Sequence, residues 1–317
     1  MFAIISPFSR SFDDIGFTYK IPTSLISTLT IGMVVEVPFG DKKTFGVVLN
    51  IVNETNFDKS KIKEILNIYS LDIFLLNYQI ELLKWISYNY FCLIHQSLNL
   101  FFPKNLVGKI TKNKFEFKKE EKKFNYNFNY TKTLSQKQLE IYNKIIKSNN
   151  NKFLLYGVTG SGKTEIYINL IKYYLDRGEQ SLLLVPEIIL TNQIFERIKK
   201  VFGDEVIIIN SSISESKKTI YYENILKNNV KIIIGTRSSL FYPYNNLGII
   251  IIDEEHDNSY ISDISPRYDA IEVAIEISKL KNIKLLLGSG TPKINHMYRG
   301  IVKKEFEVLN LLLGYEK

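Results

Sequence analysis

The chain has 317 residues, 45% of them hydrophobic, so it is long enough to fold into two globular domains with buried cores. Its single cysteine excludes an internal disulfide and any zinc site built from several cysteines of these residues. No apolar run approaches the roughly 18 residues that cross a bilayer, and the N-terminus lacks a signal-peptide pattern, which predicts a cytoplasmic protein without a membrane partner. The formal net charge of +8 favours a polyanionic partner, although charge alone does not separate nucleic acid from an anionic membrane surface.

Residues 1–103 have the pattern of a small β-rich domain. Proline and glycine punctuate three β-type runs in residues 2–52, namely FAIIS, MVVEVPF and FGVVLNIV. Residues 61–69 alternate between apolar and polar side chains like one more strand, and residues 72–91 show apolar positions at helical spacing. We therefore predict a small sheet with a helix packed against it.

Residues 104–133 are basic, with nine lysines against three glutamates, and we place the domain boundary here. The interleaved aromatic residues are Phe115, Phe117, Phe124, Tyr126, Phe128 and Tyr130. Basic residues with interleaved aromatics suit single-stranded nucleic acid, on which each stacked base contributes about 1–3 kcal/mol. The alternative is a solvated linker or hairpin whose aromatics cover neighbouring apolar surface, and this alternative is favoured because charge runs are usually solvated.

From residue 134 onwards, helical patterns alternate with short and almost wholly apolar strands. The predicted strands are FLLY at 153, SLLLV at 181, VIII at 206, KIIIG at 231, LGIIIID at 247 and IKLLLG at 283. Such strands separated by helices indicate a parallel sheet covered on both faces, so residues 134–317 are expected to form one RecA-like α/β lobe. Ligands of open parallel sheets bind at the carboxyl ends of the strands.

The first of these strands leads into the loop GVTGSGKT and then into a helical pattern. This order matches the phosphate loop G-x-x-x-x-G-K-[ST], whose backbone N–H groups surround phosphate oxygens at a helix N-terminus. Lys163 is expected to contact the β- and γ-phosphates, and the Thr164 hydroxyl to bind the accompanying Mg²⁺. The loop residues predicted to bind a nucleoside triphosphate are Gly157, Val158, Thr159, Gly160, Ser161, Gly162, Lys163 and Thr164. A glycine-rich turn that binds nothing is the weaker alternative.

Two carboxylates end the strand LGIIIID, in the sequence DEEH. In phosphoryl transfer a strand-end aspartate holds Mg²⁺, and a neighbouring acid orients the attacking water. We assign Asp253 to the first role and Glu254 to the second; acids that merely cap the next helix are the alternative. His256 either couples the nucleotide site to neighbouring segments or is an ordinary hydrogen-bonded histidine.

Three further polar residues lie close to predicted strands. The amide of Gln138, in LSQKQ, could read the donor and acceptor edge of adenine, or it could lie on a helix surface. Thr291, in GSGTP, could transmit the nucleotide state, although this sequence alone is only a turn motif. Arg237, in GTRSSLF, opens a predicted helix that would suit a nucleic-acid phosphate, and a local salt bridge explains it about as well.

Gln138 and the stretches GVTGSGKT, LVPEIILTNQ, GTRSSLFYP, LGIIIIDEEHD and GSGTP together resemble superfamily 2 helicases of the PriA type, which restart bacterial replication. The N-terminal FTYKIP and VEVPFG resemble that family's module for the nascent 3′ strand end, so the resemblance covers nearly the whole chain outside residues 104–133. It implies that Phe17, Thr18, Gly40 and Lys63 line a 3′-end pocket. Thr18 replaces an acidic residue of some relatives.

The resemblance also implies an aromatic-rich loop that links DNA engagement to ATP hydrolysis. Tyr260, Arg267 and Tyr268 fall in this loop, and stacking on bases would give them a physical means. The implied ligands are ATP and Mg²⁺, and the implied partners are forked and single-stranded DNA, single-stranded-DNA-binding protein and other primosome proteins. Full-length relatives are expected to carry zinc, which this chain is not expected to bind.

The family's second motor lobe, its arginine finger and its zinc-binding cysteines are expected to be missing from these 317 residues, and residues 104–133 are too short for its full winged helix. Because an arginine finger is worth about a thousandfold or more in turnover, these residues alone are expected to hydrolyse ATP poorly and unwind nothing. The leading hypothesis is the N-terminal part of an ATP-dependent replication-restart helicase. The alternatives are a DNA-structure adaptor that nucleotide only stabilises, another superfamily 2 helicase or translocase and, least of all, a membrane-surface ATPase.

Overall fold

A computed structural model describes residues 1–9, 15–117, 128, 130, 132–158, 160–187, 193–203 and 206–311. Thr159 of the phosphate loop lies outside the described residues, as does the centre of the basic segment. The fold class predicted from the sequence is confirmed: a small antiparallel sheet is followed by a parallel sheet flanked by helices.

The N-terminal domain is built on the antiparallel sheet, in the spatial order β2-β1-β4-β3-β5. Its strands are β1 (Phe2–Pro7), β2 (Phe17–Lys20), β3 (Val34–Phe39), β4 (Lys42–Val52) and β5 (Asn67–Ile68). Val34 of β3 pairs with Val47 of β4, and both side chains are fully buried. Of the strand predicted over residues 61–69, the structure forms only the two-residue β5 and a bridge between Lys20 and Glu64. Only Ile65 of the first six residues of this segment is buried.

Three helices follow the antiparallel sheet: α1 (Asn77–Asn89), α2 (Ile94–Leu98) and α3 (Lys104–Thr111). Helix α3 occupies the start of the basic segment and buries Leu106 and Ile110. Phe115 and Phe117 lie in contact with Phe74, at ring-centroid distances of 6.1 and 4.9 Å. These two aromatics therefore cover apolar surface, as the alternative interpretation of the segment expected.

The second domain is a doubly covered parallel sheet, in the order β12-β6-β11-β10-β7-β9-β8 among the described residues. Its strands are β6 (Lys152–Tyr156), β7 (Gln180–Leu184), β8 (Val206–Ile209), β9 (Ile232–Gly235), β10 (Leu247–Ile252), β11 (Lys284–Ser289) and β12 (Glu307–Asn310). Strand β10 lies centrally and every one of its residues is buried, as expected for a strand covered on both faces. The acids that follow β10 therefore emerge at the middle of the carboxyl edge.

The helices of this lobe are α4 (Gln136–Lys147), α5 (Lys163–Asp176), α6 (Gln193–Phe202), α7 (Glu215–Leu226), α8 (Ala270–Lys281) and α9 (Ile294–Ile301). Their ends follow ordinary capping chemistry. Asp269 accepts a hydrogen bond from Ile271 N at 2.8 Å to begin α8, and Asn282 ends it in the left-handed conformation.

The two domains share one hydrophobic core. Phe101 of the N-terminal domain packs edge-on against Phe241 at 5.3 Å, within a cluster of buried residues that extends from α1 to α8. Tyr78 of α1 donates to Tyr242 O and accepts from Tyr244 N, at 3.2 and 3.1 Å. The N-terminal domain is thus attached to the lobe by both apolar packing and buried hydrogen bonds.

In the part of the chain that the structure describes, no helix has the length and apolar character required to cross a lipid bilayer.

Candidate active site

The phosphate loop lies between the end of β6 and the start of α5. Gly162 adopts a positive φ of 89°, and a Cβ atom placed there would lie 2.2 Å from Gln138 Nε2. The backbone conformation therefore favours glycine, and any larger residue would also displace the Gln138 amide. Lys163 is 7% exposed, and its Nζ donates to Gly157 O at 2.7 Å. This hydrogen bond joins the two ends of the loop, and it is made by the lysine that was predicted to contact the phosphates.

Gln138 lies in the first turn of α4, beside this loop. Its Oε1 accepts from Ser135 N at 2.9 Å, which forms a capping box with the Ser135 hydroxyl. Its Nε2 lies 3.4 and 3.5 Å from the carbonyl oxygens of Gly162 and Ser161. The residue is therefore beside the nucleotide loop, and its contact with adenine remains a prediction.

The chain turns sharply after β10, because Glu254 adopts a positive φ of 46°. The left-handed conformation turns the backbone so that the three consecutive acids contact three different residues. Asp253 meets α5, Glu254 lies 3.6 Å from Lys163 Nζ, and Glu255 reaches α9. The two acids predicted to act in phosphoryl transfer and the predicted phosphate-binding lysine are thus brought together.

Asp253 is 9% exposed and accepts a hydrogen bond from the Tyr167 hydroxyl at 2.9 Å. Burial, and then the neighbouring Glu254 carboxylate, raise the pKa of Asp253 to about 6. A bound cation would compensate the negative charge of this buried carboxylate. Thr164 at the start of α5 and Asp253 offer hard oxygen donors of the kind that Mg²⁺ prefers, so the residues fit the expected ion.

The protein would supply few of the ligands of that Mg²⁺. Within the described ranges, no three His, Cys, Asp or Glu side chains group together as a metal site. Asp253 and Thr164 would hold the ion while phosphate oxygens and water complete its coordination, as is usual for Mg²⁺ bound with a nucleotide. When bound, it would neutralise the charge that develops on the phosphoryl oxygens.

His256 and Thr291 belong to one hydrogen-bonded chain that includes Glu254. His256 Nδ1 lies 3.5 Å from Glu254 Oε2 and 2.7 Å from the Ser289 hydroxyl, which accepts from Thr291 N at 3.1 Å. Gly290 N also donates to Glu254 Oε2, at 3.5 Å. The loop after β11 therefore contacts the predicted water-orienting acid, and the coupling role of His256 and Thr291 remains a prediction.

The loop predicted to link DNA engagement to ATP hydrolysis packs against the site. Tyr260 and Tyr268 are 1% and 4% exposed, and their stacking on bases remains a prediction. The Tyr260 hydroxyl donates to Asp253 O at 2.6 Å, while Arg267 is exposed. Arg237 Nη1 donates to Ser259 O and Ile261 O at 2.6 and 2.7 Å, which fixes this loop to the segment after β9.

A separate cavity of about 620 Å³ lies in the N-terminal domain. All four residues assigned to the 3′-end pocket line it, namely Phe17, Thr18, Gly40 and Lys63. Phe17 packs edge-on against Phe39 at 5.3 Å, and Lys63 Nζ donates to Gly40 O at 2.9 Å. The structure thus brings together residues that are distant in sequence, and their contact with DNA remains a prediction.

Two contacts of the site were not foreseen. Tyr167 follows Lys163 by one helical turn, so the i, i+4 spacing on α5 was a usable signal. Glu255 is fully buried; its Oε1 accepts from Lys293 N at 2.8 Å and its Oε2 lies 2.5 Å from His296 Nδ1. No sequence spacing pointed to His296, because the pair is 41 residues apart.

A phosphate loop, a buried lysine and strand-end acids on a parallel sheet define a nucleotide-binding motor lobe. The family model for the DEAD/DEAH box helicase matches residues 135–298, and a model for the 3′ DNA-binding domain of PriA matches residues 10–103. The chain therefore belongs to the DEAD/DEAH box helicase family, and it is a homologue of the replication restart proteins PriA.

Curated relatives agree with this assignment. Replication restart protein PriA of Rickettsia felis is 38% identical over 94% of this chain and 44% of its own length. PriA of Helicobacter pylori strain J99 is 37% identical over 84% of this chain and 40% of its own length. PriA of Bacillus subtilis is 44% identical over 50% of this chain and 20% of its own length. The chain spans less than half the length of each of these relatives.

Proposed function

We propose that these residues bind ATP with Mg²⁺ and recognise the 3′ end of a nascent strand at a branched DNA, as the front part of a replication-restart helicase. The observation that carries the proposal is the convergence of Lys163, Asp253 and Glu254 at the carboxyl edge of one sheet. A lysine and two acids from distant elements meet there, and each has a role in phosphoryl transfer.

The DNA part of the proposal is supported by the match to a 3′ DNA-binding domain and by the cavity in the N-terminal sheet. Forked and single-stranded DNA are the proposed substrates. Single-stranded-DNA-binding protein and other primosome proteins are the proposed protein partners, and the cytoplasm is the proposed location.

Substitutions at the two ends of the Lys163–Glu254 contact test the nucleotide site. Lys163→Ala should abolish ATP binding, because it removes the positive charge that faces the phosphates. Glu254→Gln should retain ATP binding and lose turnover, because the amide keeps the volume but cannot orient water as a base. ATP affinity by calorimetry and steady-state hydrolysis with forked DNA measure the two effects.

Normal turnover by the Glu254→Gln chain would remove that residue from its role. If both variants kept full function in restoring replication while the wild type bound nucleotide, the chain would be a DNA-structure adaptor that nucleotide only stabilises. A preference for RNA over a DNA fork would instead favour another helicase or translocase of this superfamily.

The 3′-end pocket is tested with a lysine that lines it and one that does not. Lys63→Ala should weaken binding to a fork whose leading-strand 3′ end lies at the branch, while Lys59→Ala, on the exposed surface nearby, should not. Fluorescence anisotropy at several salt concentrations measures both, since affinity should fall with salt in proportion to the phosphates contacted. Equal affinity for forks with and without that 3′ end would contradict the proposal.

A further inference from the structure

We propose that Tyr167 is a positioning residue that holds the Asp253 carboxylate in place for the Mg²⁺ of the bound nucleotide. The inference rests on the proposed function, because it requires that Mg²⁺ and nucleotide bind at this site. It assigns a role to a side chain of the phosphate-loop helix outside the loop sequence itself.

The hydroxyl of Tyr167 joins two elements that come from distant parts of the chain. Tyr167 is fully buried on α5, and its hydroxyl donates to Asp253 Oδ1 at 2.9 Å across a separation of 86 residues. A carboxylate oxygen can only accept, so the tyrosine is the donor in the ionised state of Asp253. The bond therefore ties the helix that carries Lys163 and Thr164 to the end of β10.

The backbone of β11 also lies against the Tyr167 hydroxyl. A Cβ atom on Gly288 would lie 1.8 Å from the Tyr167 hydroxyl oxygen and 3.6 Å from Asp253 Oδ1. Only glycine leaves room for the hydroxyl at this point of the strand. The tyrosine oxygen is thus held between the β11 backbone and the carboxylate.

A second tyrosine fixes the backbone of the same aspartate, because the Tyr260 hydroxyl donates to Asp253 O at 2.6 Å. Both the side chain and the main chain of Asp253 are therefore hydrogen-bonded by phenolic hydroxyls. Loss of the Tyr167 donor would leave the Asp253 carboxylate free to rotate away from its position beside the phosphate-loop helix.

Tyr174 provides a matched comparison on the same helix. It is 6% exposed and packs against Gly248, two turns away from Tyr167 and on the opposite end of α5 from the phosphate loop. Both tyrosines fill apolar space, but only Tyr167 bonds a strand-end acid of the site. Replacing each tyrosine by phenylalanine removes the hydroxyl and keeps the ring. A comparison of the two variants therefore distinguishes the effect of the hydrogen bond from the effect of packing.

The test measures how Mg²⁺ strengthens nucleotide binding to the full chain. ATP affinity is determined by calorimetry in EDTA and over a Mg²⁺ titration for the wild type, Tyr167→Phe and Tyr174→Phe. Tyr167→Phe should raise the Mg²⁺ concentration for half-maximal binding roughly tenfold, equivalent to about 1.4 kcal/mol, because it removes a hydrogen bond to a charged group. Its ATP affinity in EDTA should equal that of the wild type, and Tyr174→Phe should match the wild type in both buffers.

Gly288→Ala is an independent second variant, because the added methyl group would displace the Tyr167 hydroxyl. It should reproduce the Mg²⁺ defect of Tyr167→Phe with the tyrosine still present. An unchanged Mg²⁺ requirement in Tyr167→Phe would overturn the proposal, and so would an equal loss of ATP affinity in EDTA and in Mg²⁺, which indicates a purely structural role. A wild-type chain that binds no nucleotide in either buffer would overturn the proposed function together with this inference.

Discussion

Glu255 is a fully buried carboxylate, and its partner His296 is 2% exposed. A buried polar group that loses its hydrogen-bond partner costs about 1–3 kcal/mol, because it is left unsatisfied. We expect His296→Ala to lower the free energy of unfolding by about 3 kcal/mol, measured by urea denaturation at neutral pH, because it also removes a buried ring. His256→Ala is the control, since the His256 side chain is 39% exposed and its loss should cost far less. Equal costs for the two variants would contradict the importance of the buried pair.

At the scale of single residues, a role could be predicted from the sequence for those side chains that belong to a contiguous motif. Lys163 and Thr164 belong to a contiguous loop, and Asp253 and Glu254 follow an apolar strand directly. His296 and Tyr167 could not be assigned in this way, because their partners come from other parts of the chain. Their roles depend on which helix packs beside the end of β10, and that is a property of the folded sheet.

A network of charged side chains holds the segment just before β12, the edge strand of the lobe. Arg299 of α9 bonds Glu305 through Nε at 2.8 Å and also bonds Glu272 of α8. Lys152 of β6 approaches Glu305 from the other side, at 3.0 Å. The hydrogen bond from Arg299, together with Lys152, holds the pKa of Glu305 at about 2, below its ordinary value of 4.5.

The lowered pKa predicts how the stability of the lobe depends on pH. The ionised Glu305 contributes stability that is complete above its unfolded pKa of 4.5 and is lost as the pH falls towards about 2. Between pH 7 and pH 3.5 the wild type should lose about 1 kcal/mol more unfolding free energy than Glu305→Gln, which has no such carboxylate. Urea denaturation at several pH values measures this difference, and parallel curves for the two chains would refute it.

At the scale of elements, the wholly apolar strands from β6 to β11 were predictable, because a strand buried on both faces has a continuous apolar sequence. Strand β12 was not foreseen, since it is short and lies at the edge of the sheet. The loop of Tyr260 and Tyr268 was assigned only through the family resemblance. Its burial depends on packing against Phe241 and on Arg237, neither of which lies near it in sequence.

At the scale of the whole molecule, the continuous core predicts that both domains unfold together. Trp85 is the only tryptophan in the sequence, and it packs beside Tyr90 in the N-terminal domain. A nucleotide at one hundred times its dissociation constant stabilises the state it binds by about 2.7 kcal/mol. We expect ATP with Mg²⁺ to raise the midpoint of the Trp85 fluorescence transition as much as that of the far-ultraviolet circular dichroism, although the nucleotide site is in the other domain.

Lys163→Ala is the control, because its transitions should not respond to nucleotide. A Trp85 transition that ignores ATP while the circular dichroism responds would show two independent folding units. The sequence did not predict this union: a change from β-rich to alternating patterns suggests separate domains, whereas the buried bonds of Tyr78 and Gln79 to residues 241–244 are visible only in the structure.

At Glu254, the left-handed backbone conformation and the proposed role of the side chain favour different residues. The backbone conformation suits glycine, which would relieve roughly 1–2 kcal/mol of local strain, whereas the proposed role in hydrolysis requires a carboxylate. Selection for heat-resistant variants of this lobe would favour glycine at this turn, and the more stable chain would lack the carboxylate that we propose orients water.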